Sequence, residues 1–202
     1  KASALNPVYV KIFESSYIEL KLCVFDELSK VQNRSDKPIF VFAHMMLPHP
    51  PFIFDADGGI RSVYNLDLSL EIKDNNNRNA HLEQLKFVNK KMINITTEIL
   101  SQPDESIIII QGDTGTTILN NPDVKDYVKK RFSILYAVHI PSGDKKIFSD
   151  NISSVNTYRR IFNNYFGTNL DILDNRHYWF PDLDDKIHGF TDVTDIVNSS
   201  ET

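Results

Sequence analysis

Cysteine is almost missing from this chain. Cys23 stands alone among 202 residues, which excludes an internal disulfide and any paired-cysteine metal or redox motif and leaves packing as the source of stability. Long apolar runs are missing as well: no stretch approaches the roughly 18 residues that a membrane span needs. Lys1-Ala2-Ser3 does not open a signal peptide, so the chain as given is expected to be soluble. Positive charge is not in excess, since 22 Lys and Arg against 27 Asp and Glu leave a net charge of −5. A global field able to hold nucleic acid nonspecifically is thereby excluded. Glycine is sparse, and no Gly-rich phosphate loop, His-Glu-x-x-His motif or Gly-x-Ser-x-Gly elbow occurs. What remains is globular: 41% hydrophobic and 24% charged residues exclude collagen, coiled-coil and disordered classes. The length favours one domain, and there is no internal repeat.

Apolar spacing predicts a helix from about Tyr9 to Val31. A stronger one is predicted over Ala80–Leu100, where Leu82, Leu85, Val88, Met92, Ile95 and Ile99 recur in steps of three and four. A third is predicted over Val155–Phe166, ended by Gly167 as a C-cap. Ile39-Phe40-Val41-Phe42-Ala43 and Ile107-Ile108-Ile109-Ile110 read as strands buried on both faces, the pattern of parallel sheets. Ser133–Ile140 reads as a third, more alternating strand. A strand, a long connection containing a helix and a second strand make a βαβ unit. The expected fold class is therefore α/β, a three-layer α/β/α arrangement with a mostly parallel sheet. Asp55–Asn79 reads as a long surface loop with a turn at Asp57-Gly58-Gly59. Beyond Leu173 the chain reads as loop, with Asn198–Thr202 frayed and the rings of His177-Tyr178-Trp179-Phe180 closing the edge of the core. Four Asn-x-Ser/Thr sequons, at Asn33, Asn94, Asn151 and Asn198, hint weakly at an external location.

Ligands of open α/β sheets bind outside the carboxyl ends of the strands. That rule selects His44 to Pro51, an irregular loop because prolines 48, 50 and 51 exclude helix and central strand. It also selects Gln111-Gly112-Asp113-Thr114-Gly115. If the two strands were neighbours, His44 or His49 would share a rim with Asp113 and Thr114. A carboxylate beside imidazole and hydroxyl groups there could hold a divalent cation or an anionic substrate. Each residue also has a plainer reading: Asp113 capping a turn, Thr114 bonding its own backbone, His49 packed in a stiff corner, His44 as a core histidine.

The segments Phe40–Phe52 and Ile107–Gly115, together with Leu85–Lys91 and Ser154–Asn169, resemble in order and spacing the C-terminal half of sulfatase-like hydrolases of the alkaline phosphatase superfamily. The resemblance runs from about Ile39 to Tyr178. It implies an alkaline-phosphatase-like fold and a division into an N-terminal helix and linker over 1–38, a sulfatase-like C-terminal α/β region over 39–180 and a tail over 181–202. It further implies a metal-dependent phosphoester or sulfoester hydrolase or transferase at the outer face of a membrane, with the membrane reached only through segments outside this chain. By position, Asp113 matches a metal aspartate and His49, in a His-x-Pro loop, matches the histidine that contacts the substrate anion. The implied cofactor is a divalent metal: Mn, Mg, Zn or Ca. Two departures stand out. Thr114 occupies the second metal-ligand position, where the family has His or Asn, and the family's nucleophile and first acidic ligand precede the Ile39 strand, so the chain reads as the second half of a catalytic domain. The competing expectation is a non-catalytic domain that uses the same rim to bind an anionic headgroup or a glycan, or docks a protein partner through the aromatic tail His177-Tyr178-Trp179-Phe180.

Overall fold

The computed structural model describes residues 6–35, 37–61, 75–116, 123–141, 143, 147–148, 152–180 and 189–199. The chain divides into two compact units, Lys1–Ser106 and Ile107–Thr202.

The first unit is built on two helices, α1 (Asn6–Ser29) and α2 (Asn75–Leu100), with a short 3-10 turn at Val31–Arg34 after α1. On α1 the inward residues Ile18, Leu22, Phe25 and Leu28 step by four, three and three. On α2 Val88, Met92, Ile95 and Ile99 step by four, three and four, beside Phe87. That spacing aligns one stripe on each helix, and burying the two stripes against each other makes the core. A non-helical plug fills its end: Leu47, Ile53 and Phe54 are buried in the same cluster. The Phe87 ring is its hinge, tilted on Phe54 at a centroid distance of 4.7 Å and edge-on to Phe25 at 6.1 Å. After the plug the chain reverses. Phe54 bridges Ile60 antiparallel, and the Asp55 carboxylate accepts the N–H groups of Asp57 at 2.9 Å and Gly59 at 2.8 Å. Those bonds hold the Asp55 carboxyl below its ordinary value. A Cβ at Gly59 would stand 2.3 Å from the Asp55 Oδ2, so this tight turn needs glycine there.

The second unit pairs β1 (Ile108–Gln111) with β2 (Tyr136–His139) and β3 (Tyr178–Trp179) with β4 (Thr191–Asp192), around α3 (Val124–Phe132), α4 (Ser154–Tyr165) and α5 (Thr194–Asn198). Helix α3 starts at Asp123, whose side chain accepts the Asp126 N–H, and ends on Lys129, Lys130 and Arg131, the charge order that the helix dipole favours. Its aromatic side meets the β3 region: Trp179 packs edge-on to Tyr127 at 5.7 Å, and His177 edge-on to Phe132 at 5.2 Å. Helix α4 is strapped by the chain that follows it. The Asn156 amide donates to the Leu173 carbonyl at 2.7 Å and accepts the Leu173 N–H at 3.0 Å. Arg159 donates to the Asp171 carbonyl, and Asn163 accepts the Leu170 N–H while donating to the Leu170 carbonyl. Positions 156, 159 and 163 share one helix face, so the polar stripe reads the backbone of the strap as the apolar stripe reads the core. Gly167 sits at φ +64°, with the Phe166 N–H closing on Phe162, the left-handed C-terminal cap that its position predicts.

Two expectations fail here. The three-layer α/β/α fold with a mostly parallel sheet is not what forms. Among the described residues the only sheets are two antiparallel pairs of two strands. The expected parallel partner of the Ile107–Ile110 strand does not pair with it. β1 runs antiparallel to β2, with Ile109 opposite Val138 and Gln111 opposite Tyr136. Ile39–Ala43, expected to be buried on both faces, forms no strand and joins no ladder, and Phe40 and Phe42 are 82% and 77% exposed. The physical reason is that a run apolar on both faces specifies what a strand requires and says nothing about which segment supplies it. The helices agree more closely: α2 begins at Asn75, five residues before the expected Ala80, and α4 is shifted by one residue. Residues 62–74 of the expected surface loop, 181–188 of the tail and the sequon at Asn151 lie outside the described residues. No described helix is long and apolar enough to cross a membrane.

Candidate functional site

His49 is the residue for which the fold provides most. It lies at the tip of the plug, exposed, in a stretch where the Leu47–Pro48 and Pro50–Pro51 peptide bonds are cis. Prolines at 48, 50 and 51 remove three N–H donors, so this segment cannot satisfy its carbonyls by pairing with itself. Gln84 on α2 does it instead. Its side chain is fully buried. The amide oxygen accepts the N–H groups of Ile53 at 2.8 Å and Phe54 at 3.3 Å, and the amide nitrogen donates to the carbonyls of Pro48 at 3.1 Å and His49 at 3.3 Å. One side chain therefore holds both ends of the loop. The His49 N–H closes a turn on the Met46 carbonyl at 2.8 Å. Its ring Nδ1 lies 2.9 Å from the Pro50 carbonyl oxygen. A carbonyl only accepts, so Nδ1 carries the proton and Nε2 is left to face outward. The result is an imidazole on a backbone fixed from behind by a buried amide.

The glutamine was missed from sequence although a signal was present. Position 84 is one turn before Val88, on the core face of the most regular helix in the chain, and a polar residue there must find buried partners. His81 sits one turn earlier on that face. Its ring packs on Phe52 at 5.3 Å, and burial pushes its pKa below the ordinary value. His44, the other imidazole considered, is exposed and edges an open groove of about 320 Å³ that Val24, Leu28 and Arg34 also line. Arg34 pairs with Glu27, which lines the groove too.

Asp113 and Thr114 belong to the second unit, in the turn that leaves β1, and both are exposed. The Gly112 N–H returns to the Leu135 carbonyl at 2.8 Å and the Gly115 N–H to the Arg131 carbonyl at 2.7 Å, which presses the turn onto the end of α3. A Cβ at Gly115 would lie 1.8 Å from the Lys130 carbonyl oxygen, so only glycine allows that approach. The Arg131 guanidinium donates to the Thr114 hydroxyl at 3.2 Å and to the Gly115 carbonyl at 2.8 Å. This contact tests Thr114 as a metal ligand, and it does not fit. A neutral hydroxyl is a weak donor to a dication, and its oxygen here already faces a fixed positive charge. Among the described residues no group of three or more His, Cys, Asp or Glu side chains is arranged to hold a metal ion. His49 lies in the first unit, and Asp113 and Thr114 lie in the second.

No protein-family model, curated protein or solved structure matches the chain.

Proposed function

We propose that the chain carries the substrate-contacting loop of a phosphoester or sulfoester hydrolase or transferase, with His49 as the group that meets the ester oxyanion. The reaction class comes from the motif resemblance to sulfatase-like hydrolases, which also suggests work at the outer face of a membrane. The observation that carries the reading is the Gln84 clamp, which fixes the backbone on both sides of an exposed imidazole. A side chain held on a rigid loop pays little ordering entropy on binding. With Nδ1 engaged by Pro50, a proton on Nε2 makes the ring a cation whose N–H points away from the loop. That group neutralises charge on an ester oxygen and donates to it. Asp113 is the residue this reading assigns to a divalent cation. Thr114 is not its partner, and no step is assigned to a metal.

A second reading, a non-catalytic domain that binds the same anions, is favoured by the Arg131–Thr114 contact, which sets an arginine where the family has a metal ligand. One titration separates the two. The chain is titrated with inorganic phosphate and assayed with p-nitrophenyl phosphate, bis-p-nitrophenyl phosphate and p-nitrophenyl sulfate in the presence of Mn, Mg, Zn or Ca. Binding weakened at least about tenfold by His49→Gln supports the loop assignment. Turnover that disappears in Asp113→Ala supports the enzyme, whereas binding without turnover supports the binding domain. Phosphate binding that does not depend on His49 removes the first reading, and absence of any phosphate binding removes both.

A further inference from the structure

The aromatic segment after α4 is used on one side only. Along the β3–β4 pair, alternate residues point to opposite faces. His177 and Trp179 turn inward onto Phe132 and Tyr127 of α3, and Val193 of the facing strand is buried. Arg176, Tyr178 and Phe180 therefore share the outer face. Phe190 joins them through its ring contact with Phe180 at 5.4 Å, and Asp192, opposite Tyr178, joins them through Arg176. Tyr178 and Phe190 are 50% and 72% exposed. At the Tyr178 end, the Arg176 guanidinium donates to Asp192 Oδ2 at 2.8 Å, with Asp174 Oδ2 3.9 Å from its Nε. Asp192 Oδ1 accepts the Thr194 N–H at 3.0 Å, so the ion pair is fixed in place while both members keep access to solvent.

Size and charge together select what fits this face. From 176 to 180 it runs about 13 Å, and it is two strands, or about 5 Å, wide. That is far less than the roughly 800 Å² per partner of a stable protein interface, and it suits a molecule of one or a few rings. An anion would meet two carboxylates and a cation would meet the guanidinium, so neither sign of charge is favoured. Arg176 keeps N–H groups and Asp192 keeps lone pairs beyond those they share. The matching ligand is neutral, with an apolar side for the rings and hydroxyls for the ion pair. We propose that the outer face of β3–β4 binds a neutral saccharide, one pyranose ring lying with its C–H groups against Tyr178 and Phe190 and its hydroxyls reaching Arg176 and Asp192. Polarised C–H groups meet the negative faces of aromatic rings favourably. A shallow site of this size should give a dissociation constant of roughly 0.1 to 10 mM. The site lies in the second unit and the His49 loop in the first, so this inference stands or falls separately from the function proposed above.

The test is a titration of the whole chain, followed by amide chemical shifts, with methyl glycosides of glucose, galactose, mannose and N-acetylglucosamine and with their tetrasaccharides. At least one should shift the amides of residues 176–180 and 190–192 saturably within the expected range. Tyr178→Ala and Phe190→Ser should each weaken that binding at least about fivefold, whereas Tyr178→Phe, which keeps the ring, should stay within about threefold of wild type. Both positions are half exposed or more, so a melt followed at Trp179 should match wild type in all three variants; if one of the first two fails to fold, the other carries the comparison. The proposal is overturned if no neutral saccharide shifts these amides up to about 50 mM, or if binding is indifferent to loss of either ring. It is equally overturned if glucose 6-sulfate binds more tightly than the neutral glucoside, because the face would then be selecting charge.

Discussion

Gln84→Leu isolates what the buried amide contributes. Leucine has nearly the same volume, so the substitution leaves α2 and its packing in place and removes only the polar contacts. Five main-chain groups lose a partner, the Pro51 carbonyl at 3.5 Å among them, and they are not equivalent. The Ile53 and Phe54 N–H groups belong to residues that are 1% and 0% exposed, so water cannot replace the glutamine oxygen. The Pro48 and His49 carbonyls belong to residues with solvent access and can recruit it. Two buried N–H groups left unsatisfied cost about 2–6 kcal/mol, at about 1–3 each, and the added apolar group returns about 1–2 kcal/mol, so the variant should lose about 2–3 kcal/mol. Trp179, the only tryptophan, is in the second unit, and its fluorescence would not follow this loss. Hydrogen exchange of the Ile53 and Phe54 amides would, along with far-UV circular dichroism in denaturant. Gln84→Glu sharpens the test. Its carboxylate keeps both acceptor contacts but loses the donor to Pro48 and His49, and burial raises its pKa, so the folded state binds a proton that the unfolded chain has released. Stability of that variant should therefore rise as pH falls through the raised value toward the ordinary carboxyl range, the protonated acid restoring the donor. Unchanged amide protection in Gln84→Leu, or a Gln84→Glu variant with no such pH dependence, would refute the clamp.

Gly115→Ala should destabilise the second unit by about 3 kcal/mol or more, because the new methyl meets a fixed backbone carbonyl and not a movable side chain. A thermal melt of the whole chain followed at Trp179 reads it. Burial lowers the His81 pKa from 6.5, so below about pH 6.5 the unfolded chain takes up a proton that the folded one resists. The first unit should lose stability as pH drops from 7.5 to 5.5, and His81→Phe, which keeps a ring against Phe52, should flatten that slope; an unchanged slope would count against it. Asn156→Ala removes the donor and the acceptor that hold the strap at Leu173 and the donor contact to the Asn175 side-chain oxygen. It should cost about 2 kcal/mol and speed exchange at the Leu173 amide, whereas Asn164→Ala, exposed on the same helix, should do neither.

The parts of the fold legible in sequence were those whose physics is local. Three- and four-residue spacing placed the inward face of α2 because helix periodicity and burial act on the same residues, and Gly167 announced the end of α4 because only the cap needs its backbone freedom. Helix α3 was overlooked because it has few apolar positions. Its marks are Asp123 at the start and Lys129-Lys130-Arg131 at the end, a charge order that can be read without any periodicity. The site was legible in part. The loops after Ala43 and after Ile110 were singled out as the rim of a parallel sheet that does not form, and both present side chains to solvent. What positions them was not, because Gln84 is 35 residues from His49 and Arg131 is 17 residues from Thr114. Contacts at such separations follow from tertiary structure that no local pattern encodes.

The strand assignment failed for a more instructive reason, and the same reason bears on Asp113. An apolar run states a demand, and the sheet that would meet it must come from elsewhere; a carboxylate in a turn likewise states only half of a metal site. At Asp113 the other half can be weighed. A dication bound there and reaching Thr114 would come within about 5 Å of the Arg131 guanidinium. The repulsion at that separation is about 2–7 kcal/mol for effective dielectric constants from about 80 down to 20. One exposed carboxylate and one neutral hydroxyl do not offset that. The arginine, meanwhile, is held by its own helix end, by the Gly115 carbonyl and by the threonine. The turn after β1 is thus set for negative charge to be balanced by a protein cation, and an anion brought near it would find Arg131 already in place. A cation would have to displace that guanidinium before it could reach Thr114.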